Sequence, residues 1–267
     1  PPIWVPCGSH GTAQEVAERG YVIATLNTTP TTWALLNQNR ITFDPLKFTW
    51  LGNMSKDVAS CGVSAKSGIR HFDDLFTREA TFAASGPGGI LAQHPAALRN
   101  VLGAKFKPIM GYMGSNDARL AVERGEVDGS CGIVTYTYRQ SWEAAARAGA
   151  FRILIQLGLE KAPVYGDAPN VYDYAKTPFQ RDVLRLVFGQ QMLGRPLLAP
   201  PGLAADRRDA LRSAIEKTLR DPQFLADAEK AQMEINPSSV EDVVALLTEF
   251  NAFSPEIVEG ARKAMGE

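Results

Sequence analysis

Short apolar runs alternate along this chain with longer stretches in which apolar residues return every three or four positions. Runs at 21–26 (YVIATL), 48–51, 62–65, 81–84, 106–110, 127–136, 151–157 and 196–199 have strand length. Between them, 12–19, 71–77, 116–124, 141–148 and 179–192 carry helical spacing. Strand and helix in alternation predict βαβ units, and so an α/β fold with parallel sheets and helices on both faces. After residue 200 the pattern changes to helices without strands. Asp206 is placed to cap a helix running to Leu219, and Asp221-Pro222 to start another ending near Asn236-Pro237. Ser238 and Glu241 have the spacing of a capping box for 240–251, and Ser254-Pro255 sets proline at the first position of the last helix.

Composition narrows the partners. A chain of 267 residues suits two domains at roughly 150 residues each, and 45% hydrophobic residues can fill their cores. No apolar run approaches the ~20 residues of a membrane span. Lys plus Arg number 28 against 29 Asp plus Glu, a net charge of -1, which argues against nucleic acid or a polybasic membrane surface. An anionic partner would therefore be attracted by local dipoles, not by the bulk field. The chain opens at Pro1-Pro2 with neither a positive nor an apolar leader, so a signal peptide is expected to be absent or already removed. Cys7, Cys61 and Cys131 form no C-x-x-C pair. Cys61 and Cys131 lie in apolar strand-like runs, either as small buried hydrophobes or as a disulfide in an oxidising compartment.

Two stretches join a strand, a small-residue turn and a helix start. In 81–91, TFAASGPGGIL, the strand ends in Ser85-Gly86-Pro87-Gly88-Gly89. Glycine lets backbone approach a ligand closely, and free N–H groups at a helix start attract anions. Pro95 opposes a helix passing through it, so the helix is expected to begin there with His94 near its cap. In 106–129 a strand leads to Gly111 and Gly114, Ser115 is placed to cap 116–124, Gly125 ends that helix, and Val127 opens the next strand. Ser115 and Asn116 are then available to donate to a carboxylate. Asp128 either orients loop donors or caps a turn. Both glycine stretches also read as plain turns without a ligand.

Enzyme signatures are missing. The third glycine of a dinucleotide fingerprint would be position 91, which is Leu91, and no G-K-[ST] follows. There is no H-E-x-x-H and no cluster at metal-ligand spacing; His10, His71 and His94 are scattered. Gly8-Ser9-His10-Gly11 is not G-x-S-x-G and reads as a solvent loop. Neither a catalytic site, a metal nor a cofactor is expected.

The segment GYMGSNDARLAVERGEVDG, residues 111–129, resembles the substrate-binding receptors of tripartite tricarboxylate transporters, the Bug family. Phe43-Asp44 through Trp50-Leu51-Gly52 is similar to the family's FD…FxWIG segment, and 83–89 to its glycine-rich turn. Residues 168–173 (APNVYD) stand where the family has a DVPT-type loop, 194–202 (GRPLLAPPG) at its return into the first lobe, and Asp221-Pro222-Gln223-Phe224 with Ile235-Asn236-Pro237 in its helical tail. The resemblance implies a two-lobed periplasmic-binding-protein (Venus-flytrap, type II) fold, two α/β lobes around a cleft. It implies 1–57 and 193–267 as lobe 1, with the helical C-terminal tail packed on it, and 58–192 as lobe 2. It further implies a periplasmic, monomeric receptor that takes a small organic acid and delivers it to membrane permease subunits; a sensor for a signalling partner is the alternative. The family's use of N–H groups and hydroxyls points to Ser85, Gly86, Gly88, Gly89, Ser115 and Asn116 in the second lobe. The strand end at Thr135 and Thr137 joins them, and Asn27, Thr28 and Thr29 are the contribution of the first lobe. Trp33, Tyr112 or Tyr136 would favour a flat acid if they faced the site. The chain departs from the family at its start, where the first strand and its acidic glycine-rich loop are expected to be missing.

Overall fold

The computed structural model describes residues 4–7, 23–26, 36 and 44–266. The helix expected over 12–19, the Ser9-His10 turn, Asn27-Thr28-Thr29 and Trp33 lie outside the described residues. The chain divides into two compact units, Pro1–Asp57 with Gln190–Ser254, and Val58–Gly189 with Pro255–Glu267.

The first unit holds a four-stranded sheet of β1 (Trp4–Cys7), β2 (Ile23–Leu26), β3 (Thr49–Asn53) and β9 (Pro196–Ala199), in the order β1-β2-β9-β3. β1 pairs in parallel with β2, Pro6 opposite Thr25, whereas β9 runs antiparallel to both β2 and β3. No apolar run marks β1, because four residues containing a proline give too weak a pattern to read. Ile23, Leu51, Leu197 and Ala199 form the core, with Leu211 and Ile215 packed on it. The buried Asn53 ties the unit together. Its Nδ2 donates to Ser55 O, Met192 O and Ser238 Oγ at 2.9, 2.8 and 2.8 Å, and its Oδ1 accepts from Arg195 N at 3.1 Å. Asp57, also buried, has its carboxyl pushed up by that burial, opposed by Arg195 at 3.7 Å and reinforced by Glu234.

The second unit holds a five-stranded sheet of β4 (Ala59–Ser64), β5 (Ala80–Ala84), β6 (Phe106–Met110), β7 (Gly129–Val134) and β8 (Phe151–Leu157), in the order β6-β5-β7-β4-β8. β5, β6 and β7 are mutually parallel; β4 is antiparallel to β7 and β8. β6 is an edge strand, where Pro108 removes one donor and Lys107 adds a charge, both of which discourage pairing with another chain. Cys61 of β4 and Cys131 of β7 are bonded as a fully buried disulfide, closing the alternative left open by the sequence.

Helices α1 (Ile90–Ala97), α2 (Ser115–Arg124), α3 (Thr135–Ser141), α4 (Glu143–Arg147) and α5 (Pro178–Gly189) complete the body of the second unit. Helices α6 (Ala205–Thr218), α7 (Pro222–Lys230) and α8 (Val240–Asn251) belong to the first. α6 and α8 both pack on β3. The capping box of α8 is Ser239 with Asp242, one residue beyond the expected Ser238 and Glu241. Ser239 Oγ accepts from Asp242 N at 3.0 Å, while the Ser238 hydroxyl is taken by Asn53. Asp206 is in the first turn of α6, not at its cap, which is Ala204. Asp221 does cap α7, accepting from Phe224 N at 2.9 Å.

The last helix, α9 (Pro255–Ala264), departs from the expected division, because it lies with the second unit and not with the rest of the tail. Its buried Ile257, Ala261 and Ala264 form one face that packs on α5, and Asn100 Nδ2 donates to the carbonyls of Lys263 and Ala264 at 3.1 and 3.0 Å. The chain consequently passes between units three times, at 57/58, 189/190 and 254/255.

Candidate functional site

Three adjacent parallel strands of the second unit end side by side, and each hands over to a helix. Ala84 of β5 lies opposite Met110 of β6 in register, and Tyr112 N donates to Ala84 O at 3.3 Å. β5 leads through Ser85–Gly89 to α1, β6 through Gly111–Gly114 to α2, and β7 directly into α3. The chain leaves β5 toward β6 on one side and returns past it to β7 on the other. That reversal of strand order at the carboxyl edge is where open α/β sheets form a crevice.

Close packing holds α1 against β7. Gly132 of β7 has φ +71°, and a Cβ there would press on Ile90 at 2.9 Å, so only glycine admits the first residue of α1. Gly89, the N-cap residue of α1, leaves room for Ser85 Oγ, which a side chain at 89 would displace. The turn closes by Gly89 N donating to Gly86 O at 2.9 Å. The first-turn N–H groups of α1, at Ile90 and Leu91, have no acceptor within the helix, and no acidic residue stands in that turn.

α1 begins at Ile90, five residues before the start expected from Pro95, and His94 is interior to it, not at its cap. Pro95 sits inside this helix, which runs on into a π-helical turn, Leu98–Leu102. α2 begins at Ser115 itself, with Gly114 as N-cap and no side-chain cap bond, so Ser115 is not the cap and its hydroxyl is not consumed there. Asp117 Oδ2 instead accepts from Met113 N at 3.2 Å and sets one negative charge at that end.

Ser85, Gly86, Gly88, Gly89, Ser115, Asn116 and Thr135 thus all stand at one edge of the second unit. Thr135 and Thr137 are not strand residues: β7 stops at Val134 and both belong to the first turn of α3. Thr135 is 2% exposed, and its Oγ1 has no hydrogen-bond partner among the described residues. Asp128 is at the opposite end of the sheet, where its Oδ2 accepts from Thr81 N and Oγ1 at 2.7 and 2.8 Å; it fastens β5 to β7 and orients no loop donor. Tyr112 packs against the core, and Tyr136 OH accepts from Gln140 Nε2 at 2.7 Å.

Two polar residues lie where the sequence reading did not put them, Gln93 unremarked and His94 expected near a cap. Gln93 and His94, adjacent on α1, are buried, and Gln93 Nε2 with both His94 nitrogens lacks a partner among the described residues. Burial lowers the His94 pKa to about 3, so the ring is neutral, and its edge meets Phe188 at 5.2 Å between centroids. Nothing in the sequence marks them as interior, since Pro95 hides the helix that carries them.

The site has no lysine or arginine in 85–91, 111–117 or 135–138. Arg119, one turn into α2, is paired with Glu123. The attraction available to an anion is therefore that of helix starts and hydroxyls. Among the described residues, no group of three His, Cys, Asp or Glu could hold a metal ion, and no helix is long and apolar enough to cross a membrane.

No protein-family model and no curated protein matches the sequence. Solved structures do match. A TctC solute-binding protein from Polaromonas, without ligand, aligns with TM-score 0.70 at 16% identity, covering 96% of this chain and 84% of that one. The periplasmic binding protein BugD aligns at 0.65 with 19% identity over 96% and 84%. MatC from Rhodopseudomonas palustris with bound malate aligns at 0.60 with 16% identity over 95% and 82%. The fold is the two-lobed α/β architecture of periplasmic binding proteins, with a helical C-terminal region.

Proposed function

We propose that this chain is an extracytoplasmic solute receptor that binds a small organic carboxylate and delivers it to a tripartite tricarboxylate-type membrane transporter, without catalysis. The observation that carries this reading is the carboxyl edge of the second unit, where three adjacent strands each hand over to a helix and the buried Thr135 hydroxyl has no partner among the described residues. Backbone N–H groups and dipoles there favour negative charge without an arginine clamp. Ser85, Gly86, Gly88 and Gly89 would hold the carboxylate at the α1 start with Thr135, while Ser115 and Asn116 would meet the ligand from the α2 side. Asn27, Thr28 and Thr29 remain the proposed contribution of the first unit. MatC, of the same fold, holds malate, which supports a carboxylate as the class of ligand. The buried Cys61–Cys131 disulfide supports an oxidising compartment such as the periplasm.

Thermal shift with a panel of organic acids, amino acids and sugars tests the reading. An organic acid is expected to stabilise the protein by mass action, and Thr135→Val to remove most of that stabilisation while leaving the unliganded transition in place. Stabilisation by sugars or amino acids alone, or by no compound, would sink the carboxylate assignment.

A further inference from the structure

The edge just described is not symmetric in charge or polarity, and the asymmetry bears on what the ligand carries besides its carboxylate. On the α1 side the first turn has no acid. On the α2 side Asp117 already occupies the positive end of the helix, held by Met113 N, so a second anion there would meet a like charge. The same end of β6 and the loop after it present two large apolar side chains to the outside. Met113 is 91% exposed and Met110, at the last position of β6, is 49% exposed. Met110 lies in register with Ala84, and residues 111–114 run past the strand ends beside the Ser85–Gly89 turn. Methionine is flexible and polarizable, and suits an apolar surface that adapts to its partner.

We infer that the ligand is a carboxylate carrying an uncharged, apolar body, its carboxylate at the α1 start and its body against Met113 and Met110. This inference rests on the proposed carboxylate site. Asp117 acts as the discriminating group, disfavouring a second carboxylate at the far end of the ligand. Met113 and Met110 supply the apolar wall, gaining affinity as their exposed surface is covered.

Hexanoate and adipate test it, because they share a six-carbon chain and differ only in the second carboxylate; malate serves as the short polar acid. By isothermal titration hexanoate is expected to bind about tenfold more tightly than adipate or malate, as one like-charge contact near a helix start would give. Met113→Ser, at a position too exposed to disturb folding, is expected to weaken hexanoate about fivefold. Asp117→Asn is expected to raise adipate affinity severalfold and so to narrow its gap to hexanoate. Adipate or malate binding as tightly as hexanoate, or Met113→Ser leaving hexanoate untouched, overturns the inference while the carboxylate site stands. If none of the three acids, nor any other carboxylate, binds, the carboxylate reading itself falls and this inference with it.

Discussion

Lowering the pH from 7.5 to 4.5 should cost this protein stability through one histidine. His94 is 1% exposed, neither ring nitrogen has a partner among the described residues, and burial lowers its pKa from 6.5 to about 3. Between those two values the unfolded chain binds a proton that the folded one refuses, so stability is fully present above pH 6.5 and falls as the pH drops toward 3. Integrating that difference from pH 7.5 to 4.5 gives a loss of about 3 kcal/mol, out of about 5 kcal/mol when both states are at the acid limit. Asp57 works the other way. Its raised carboxyl pKa means the folded state holds a proton more readily, which adds stability as the pH falls. The comparison must therefore be with a variant that changes His94 alone. His94→Leu has nearly the same volume, keeps an apolar contact for Phe188 and removes two unpartnered nitrogens. Urea unfolding at pH 7.5, 6.5, 5.5 and 4.5 should show the variant at least as stable as the parent at pH 7.5. The parent should then lose about 3 kcal/mol more than the variant by pH 4.5. Parallel pH profiles would refute the reasoning, because they would mean that His94 is protonated, or reaches water, in the folded state.

Further expectations follow from other contacts. Replacing both Cys61 and Cys131 by Ala opens a cross-link spanning 70 residues and should cost about 4 kcal/mol in urea unfolding; a loss below about 1 kcal/mol would refute it. Gly132→Ala combines a positive φ with a collision against Ile90, and should cost about 2 kcal/mol or more while weakening carboxylate binding by displacing the start of α1; unchanged affinity would separate α1 from the site. Ser239→Ala removes the cap of α8 and should cost about 1 kcal/mol, measurable as a lower midpoint of thermal unfolding. Deleting residues 255–267 should expose the α5 face and accelerate proteolysis within the second unit more than within the first, as peptide mapping would reveal.

Much of this architecture was legible because strand and helix signals are local. The bounds of β6, β8 and β9 coincide with apolar runs flanked by glycine or by charged and proline residues. Elsewhere tertiary contacts overrode propensity. Val134-Thr135-Tyr136 is β-branched and aromatic and reads as strand, yet the chain turns into α3 after Val134. Pro95 argues for a helix start, but Ile90 already sits in the helix because Gly132 gives it a seat on β7. Of the candidate site, the two glycine turns were readable from their own residues. The exposure of Met113, the burial of His94 and the hub role of Asn53 were not, since each depends on segments far away in sequence.

The placement of the final helix has a consequence for how the molecule is made. The second unit opens at Val58, but one of its packing surfaces is closed only by α9, after the chain has gone away to build part of the other unit. During synthesis, about 65 residues must emerge between the end of α5 and the arrival of α9, on the order of 3–13 s at ribosomal speed. Through that interval Phe179 and Val183, on which Gly260 later rests, lack the cover that α9 supplies. Emergence from a ribosome thus includes an obligatory wait, and a holding chaperone that shields the α5 face would act in that window.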